Sequence, residues 1–207
     1  MRARPPILAK LTPPTLPAVL PRPRLFRLLD RARQRPLVWI TAPAGAGKTT
    51  VVASYLKARR LPVLWYRLDE SDADSASFFH HLSRAATMLA PKCRKPLPVL
   101  TPEYSMGRST FARRYVQALG ARLPRRCILV LDNYQELPSQ SGLQTMLADG
   151  LDELPAGMSA MVISRQGVSA PWVRAQAEQR MVWIGPDQVQ LSKAESAGIV
   201  RLHLRLL

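Results

Sequence analysis

The chain has 207 residues, of which 47% are hydrophobic and 21% charged, a balance that suits one α/β domain with a sizeable core. No apolar run approaches the roughly 18 residues of a membrane span, and no signal-peptide pattern follows the basic N-terminus, so we expect no membrane partner. The two cysteines, Cys93 and Cys127, offer no metal or redox spacing, which favours a cytoplasmic location.

The formal net charge of +16 has two interpretations. It fits contact with nucleic acid or an acidic partner, and it also fits an arginine-rich composition that accompanies many alanines, leucines and prolines. No predicted helix carries a basic face with polar base-reading residues. We therefore favour composition and do not expect this chain to contact DNA. A salt titration of binding to random duplex separates the two interpretations.

Residues 1–36 are predicted to form a Pro/Arg-rich N-terminal arm, because proline at positions 5, 6, 13, 14, 17, 21, 23 and 36 blocks regular structure. Only Arg24–Arg33 has helical spacing of its apolar residues. The arm is either disordered or packed across the sheet edge, where it contacts a bound base. The sequence leaves both alternatives open.

A phosphate-binding loop is predicted between the apolar strand Leu37–Thr41 and a helix over Thr49–Arg60. Gly45 and Gly47 let the backbone curl so that N–H groups point inward at phosphate oxygens. Lys48 can reach the β- and γ-phosphates, and the Thr49 hydroxyl can ligate Mg²⁺. The candidate ATP-binding residues are Ala42, Pro43, Ala44, Gly45, Ala46, Gly47, Lys48, Thr49 and Thr50, with Ala42 in the place of the first consensus glycine.

A second strand is predicted over Pro62–Leu68, and the acidic cluster Asp69–Asp74 follows it. This cluster suits either a metal site or the start of a helix, and we favour the helix start because Asp and Ser accept its free N–H groups. A proline-rich loop over Pro91–Pro102 and a helix over Ser109–Leu123 come next.

A third strand, Cys127–Asp132, is apolar and ends in an acid. Asp132 should emerge beside the phosphate loop, where it can hold Mg²⁺ together with Thr49. Arg165 follows the predicted strand Ala160–Ser164, and it is either a sensor of the γ-phosphate or a solvated charge. The remaining predicted elements are a helix over Leu143–Leu154, a short helix over Pro171–Gln179, a strand over Met181–Ile184 and a helix that begins at Leu191.

Strands that alternate with helices predict a five-stranded parallel sheet of the P-loop NTPase type, with helices on both faces. The chain resembles the ATPase module of the STAND-class, AAA-like signalling ATPases. More narrowly, it resembles the MalT-type, LuxR-family large ATP-binding transcriptional regulators, over roughly Lys10 to Glu195. The motifs that carry this resemblance are Lys10–Pro14, Pro21–Leu25, the Walker A stretch Thr41–Thr50, Trp65–Asp72, Leu129–Tyr134 and Ile163–Arg165.

The resemblance implies that the strand ending in Ser164-Arg165 lies between the phosphate-loop strand and the Asp132 strand. It also implies a switch that ADP holds closed and that ATP opens. In the open form such proteins self-associate and recruit transcription machinery through other domains. Asn133 replaces a second acid of the family, so hydrolysis should be slow, with Glu136 as a nearby substitute for orienting water.

We therefore expect residues 37–190 to form the ATP-binding domain and residues 191–207 to begin a truncated lid helix. The remaining lid and the helix-turn-helix domain of the family are missing, which suggests a fragment, a truncated gene product or half of a split regulator. Two other functions stay open: a small-molecule P-loop kinase, and a basic nucleic-acid-binding module with a vestigial loop. Whether the chain is an ATPase enzyme is also left open.

Overall fold

A computed structural model of the chain describes residues 8–139 and 141–204, except the side chains of Ser105 and His203. Residues 1–7 of the predicted arm and 205–207 of the predicted lid helix lie outside the described residues. The strands are β1 (Leu37–Thr41), β2 (Val63–Arg67), β3 (Ile128–Asp132), β4 (Ser159–Ser164) and β5 (Met181–Ile184). The helices are α1 (Pro23–Ala32), α2 (Lys48–Ala58), α3 (Ser75–Leu89), α4 (Arg108–Arg122), α5 (Gly142–Leu151), α6 (Val173–Ala177), α7 (Pro186–Val189) and α8 (Lys193–Leu204).

The strands form one parallel sheet in the order β2-β3-β4-β1-β5. β4 therefore lies between the phosphate-loop strand and the Asp132 strand, as the family resemblance implies. The carboxyl ends of parallel strands share one edge of a sheet, so the phosphate loop, Asp132 and Ser164 meet there. The predicted α/β fold class is confirmed.

Two apolar cores cover the two faces of the sheet. Trp39 and Tyr66 point to the core beneath α3, α4 and α5, while their neighbours Val38 and Trp65 point to the core beneath α1 and α2. Successive strand residues face opposite sides, and both sides are buried. This double burial explains why the strands are continuous apolar runs in the sequence.

The chain after β4 departs most from the sequence prediction. The helix expected over Pro171–Gln179 is a 3₁₀ turn, Ala170–Trp172, followed by the short helix α6. Helix α7 was not predicted, because four residues are too few to show a helical period. No helix among the described residues is long and apolar enough to span a membrane.

The described part of the arm packs against the domain, so the disordered alternative does not hold for residues 8–22. One anchor is Lys10, whose Nζ lies 3.1 Å from Asp69 Oδ2 and 2.9 Å from Asp72 Oδ1, beside strand β2. The other anchor is Arg22, whose Nη2 lies 2.7 Å from the Val189 carbonyl oxygen and 3.0 Å from Glu195 Oε2. Between the anchors the arm passes along α2.

The acidic cluster after β2 serves to start helices, as we favoured. The Asp74 carboxylate accepts hydrogen bonds from the N–H groups of Ala76 and Ser77 at the start of α3. The Asp69 carboxylate likewise accepts from the N–H of Ser71 in the preceding 3₁₀ turn. No group of three or more metal-ligating His, Cys, Asp or Glu side chains is found in the part of the chain that the structure describes.

Candidate nucleotide-binding site

The loop between β1 and α2 has the backbone shape of an anion cradle. Gly45 and Gly47 have φ angles of 76° and 77°, which L side chains rarely adopt, so both positions require glycine. Gly47 immediately precedes Lys48, the first residue of α2. The first N–H groups of a helix have no partner within the helix and lie at the positive end of its dipole. The start of α2 therefore offers free N–H donors to an anion beside the loop.

Lys48 lies beside this cradle with its charge unpaired. The side chain is almost buried, and Nζ donates to the carbonyl oxygens of Ala42 at 2.6 Å and Pro43 at 2.9 Å. No carboxylate lies within ion-pair distance of Nζ among residues 8–139 and 141–204. Burial and the nearby charge of Arg165 lower the pKa of Lys48, while Asp132 opposes this shift. An ammonium with three donors and two neutral acceptors favours an anionic ligand.

Thr49 and Asp132 meet although they come from α2 and β3. The Thr49 hydroxyl donates to Asp132 Oδ1 at 2.9 Å, and the N–H of Asn133 donates to the same oxygen at 3.0 Å. Burial raises the pKa of Asp132, and these two hydrogen bonds oppose the shift. A hydroxyl and a carboxylate are the oxygen ligands that Mg²⁺ prefers, so the two residues fit the magnesium site predicted from the sequence.

The side chain of Gln135, which was not among the predicted site residues, connects the candidate catalytic residues Arg165 and Glu136. Gln135 Oε1 accepts a hydrogen bond from the N–H of Arg165 at 3.0 Å, and Gln135 Nε2 donates to Glu136 Oε1 at 2.9 Å. Arg165 directly follows β4 and is exposed, while Glu136 lies in a 3₁₀ turn past the end of β3. Gln135 thus places Glu136 at the same edge of the sheet as Arg165.

Asn133 sets the direction of this turn. Its φ of 59° and ψ of 42° are left-handed, a conformation that Asn adopts more readily than most residues with side chains. The chain bends there and buries Tyr134, whose hydroxyl accepts from Trp172 Nε1 at 2.8 Å. The Tyr134 ring packs edge-on against Trp39 with 5.0 Å between centroids. The tight bend also leaves Gln135 facing β4.

A surface cleft of about 450 Å³ opens beside the Thr49–Asp132 pair. The arm forms one wall with residues 12–15, and Arg67 at the end of β2 forms part of the other. Arg67 was not predicted as a site residue. The sequence nonetheless offered a reason to consider Arg67, since the last residue of any strand in this sheet lies at the edge that carries the site.

The comparisons with known proteins agree with this geometry. Residues 31–163, more than half of the chain, match the family model described as AAA domain. The HTH-type transcriptional regulator MalT of Vibrio campbellii is 28% identical over 193 residues, which cover 92% of this chain and 21% of the relative. MalT of Vibrio parahaemolyticus is 29% identical over 194 residues, with the same coverage of 92% and 21%. The chain thus spans about a fifth of the length of these relatives.

Among solved structures, a STAND protein with a tetratricopeptide repeat sensor from Pyrococcus horikoshii has a TM-score of 0.57 to this chain at 14% identity. The match covers 92% of this chain and 26% of that one. At this identity the likeness concerns the fold alone. Together with the sequence matches, it confirms the resemblance to the MalT-type STAND module.

Proposed function

Because the chain belongs to the AAA domain family, we propose that residues 37–190 form an ATP-binding domain that acts as a signalling switch in a MalT-like transcriptional regulator. The observation that carries the proposal is the arrangement of Lys48, Thr49 and Asp132 around one glycine loop. A buried ammonium without a carboxylate lies next to a hydroxyl and a carboxylate that are hydrogen-bonded to each other. These are the groups that a phosphate chain with Mg²⁺ requires.

In this proposal the loop N–H groups and the start of α2 bind the phosphates, and Lys48 contacts the β- and γ-phosphates. Thr49 and Asp132 hold Mg²⁺, which neutralises part of the phosphate charge when it is bound. Arg165 lies close enough to Lys48 to lower its pKa. Two neighbouring cations and one buried carboxylate leave an excess of positive charge, which favours a polyanionic ligand.

We further propose that ATP hydrolysis is slow. The residue after Asp132 is Asn133, whose amide cannot accept a proton from water. Glu136 is the acid that can substitute, held through Gln135 at the edge of the sheet. The Glu136 carboxylate accepts a hydrogen bond from Gln135 Nε2 and lies past the end of β3, so we expect it to replace the missing acid only in part.

A conformational change at the nucleotide must also be transmitted to the rest of the regulator. We propose that α8 begins the lid and that the arm connects it to the domain, since Arg22 and Arg24 contact Glu195 in its first turn. Self-association and contact with transcription machinery then depend on the other domains of a longer regulator.

Titration calorimetry with MgATP and MgADP tests the binding proposal. We expect the wild type to bind both nucleotides and Lys48→Ala to weaken MgATP by about 100-fold and MgADP by about tenfold, because charged hydrogen bonds to two phosphates are lost with ATP and to one with ADP. Lys57→Ala is a matched control, an exposed lysine at the other end of the same helix. If the wild type binds no ATP at millimolar concentration, the proposed function is wrong.

Asn133→Asp tests the hydrolysis proposal, because aspartate also tolerates left-handed backbone and adds a proton acceptor. We expect at least a tenfold faster release of phosphate, since general bases contribute about 10²- to 10⁴-fold. Asn133→Gly is the control that keeps the backbone and adds no base. An unchanged rate in Asn133→Asp contradicts the explanation from Asn133.

A further inference from the structure

Arg67 lies on the same side of the sheet as the proposed magnesium ligands. It is the last residue of β2, and its register partner on the parallel strand β3 is Asp132. Residues in register on neighbouring strands point to the same face, and alternation along β2 gives Arg67 the face of Trp65. Trp65 belongs to the core beneath α1 and α2, so Arg67 and Asp132 both point to the side of α2, which carries Thr49.

The guanidinium of Arg67 is exposed and makes no hydrogen bond or ion pair in the described ranges 8–139 and 141–204. Two other arginines near the arm and α2 are paired, Arg22 with Glu195 and Arg59 with Asp30.

Arg67, Thr49, Asp132 and Asn133 line one cleft, which the arm closes on the far side with residues 12–15. A guanidinium next to a carboxylate that holds Mg²⁺ repels the metal ion unless an anion also lies there. A phosphate group bound to the same Mg²⁺ supplies that anion. Arginine is well suited to it, because its planar donors bind phosphate oxygens in pairs.

We propose that Arg67 binds the terminal phosphate of ATP from the β2 side of the site and thereby distinguishes ATP from ADP. The inference rests on the proposed nucleotide-binding function. Arg165 approaches from the end of β4, on the other side of β3, so the two arginines flank the Asp132 strand. The N–H groups of the phosphate loop hold the phosphates that ATP and ADP share, whereas the contact of Arg67, like that of Lys48 to the γ-phosphate, is completed only by ATP.

Calorimetric titrations of MgATP and MgADP with Arg67→Gln test the inference. We expect the affinity for ATP to fall about tenfold and the affinity for ADP to change less than twofold, since one charged contact is lost with ATP only. Arg67→Lys should lie between, because it keeps the charge without the paired donors. Arg27→Gln, at an exposed arginine on α1, should change neither affinity.

A repeat of the ATP titration in EDTA separates a direct contact from an effect through Asp132. The loss in Arg67→Gln should persist without Mg²⁺ if Arg67 touches phosphate. A loss that vanishes in EDTA, or an unchanged ratio of ATP to ADP affinity, overturns the inference while the binding function stands. Failure of the wild type to bind either nucleotide overturns both proposals.

Discussion

The phosphate loop holds a buried lysine and the N-terminal arm a partly buried one, and the two lysines have opposite kinds of partner. Lys48 in the loop reaches two neutral carbonyl oxygens, whereas Lys10 in the arm reaches the carboxylates of Asp69 and Asp72. The charge of Lys10 is neutralised by the fold, and the charge of Lys48 is not. A neutralised buried charge supports the fold, while an unneutralised one favours a ligand.

The second arm anchor follows the same rule as the first. Arg22 is almost fully buried and pairs with Glu195, which also accepts the N–H of Ser192. Burial alone raises the pKa of Glu195, but these hydrogen bonds and the charges of Arg22 and Arg24 lower it to about 2. The described part of the arm is thus held at Lys10 and at Arg22 by ion pairs that are complete without any ligand.

The largest effect on stability should come from Arg22→Ala. Removal of one partner from a buried ion pair typically costs about 3–5 kcal/mol, because the other charge and two carbonyl oxygens lose their donor. Urea unfolding measures this change. Arg24→Ala is the matched control, since Arg24 also contacts Glu195 but is 43% exposed, and its loss should cost about 1 kcal/mol or less.

The loss of stability in Arg22→Ala should also depend on pH. Because the folded pKa of Glu195 lies below its ordinary value of 4.5, its ion pair stabilises the protein above that pH. The contribution is lost as the pH falls through about 2. Arg22→Ala should therefore lose more stability at neutral pH than in acid, where only its packing and its hydrogen bonds to the carbonyl oxygens of Val189 and Gln190 are lost. Equal losses at both pH values would show that Arg22 acts through those contacts and not through Glu195.

Lys10→Met should have the next largest effect, about 2–3 kcal/mol of unfolding free energy. The fully buried Asp72 would keep the hydroxyl of Tyr66 and the N–H of Asp69 but lose its cation. A double-mutant cycle with Asp72→Asn, followed by urea unfolding, measures the coupling. The double variant should cost less than the sum of the single variants. Additive losses would mean that the pair does not anchor the arm.

The phosphate loop and the arm also differ in how much of their structure the sequence predicts. The phosphate loop and the β-strands were predictable, because a glycine loop and a buried parallel strand each have a recognisable pattern of neighbouring residues. The arm anchors were not predictable. Arg22 and Glu195 lie 173 positions apart, and Lys10 and Asp72 lie 62 apart, so no local pattern connects them. Charged residues in a chain with many arginines give no signal about which of them will pair.

The candidate site likewise has a part that the sequence predicted and a part that it did not. Lys48, Thr49 and Asp132 were predicted to lie together, and the structure places them so, because strand order alone brings their elements to one edge. The placement of Glu136 through Gln135 depends on the left-handed backbone of Asn133, which the sequence did not indicate. The roles assigned to Glu136 and Arg165 stay predictions.

Lys48→Met should have the smallest effect on stability, and of the opposite sign to Lys10→Met. Burial and Arg165 hold the pKa of Lys48 below its ordinary value of 10.5, so the charged form is disfavoured in the folded protein. Methionine removes that charge and keeps the apolar stem, while the carbonyl oxygens of Ala42 and Pro43 lose a donor, which offsets part of the gain. We expect the unfolding free energy at pH 7 to rise by about 1 kcal/mol or less.

The difference between the wild type and Lys48→Met should shrink as the pH rises through the folded pKa, because Lys48 then loses its proton more readily when folded than when unfolded. Urea unfolding at pH 7 and in alkaline buffer measures this trend. A loss of stability as large as that of Lys10→Met would contradict the proposed difference between the two lysines, because Lys48 would then stabilise the fold. A small gain, together with lost nucleotide binding, would assign its unneutralised charge to the ligand.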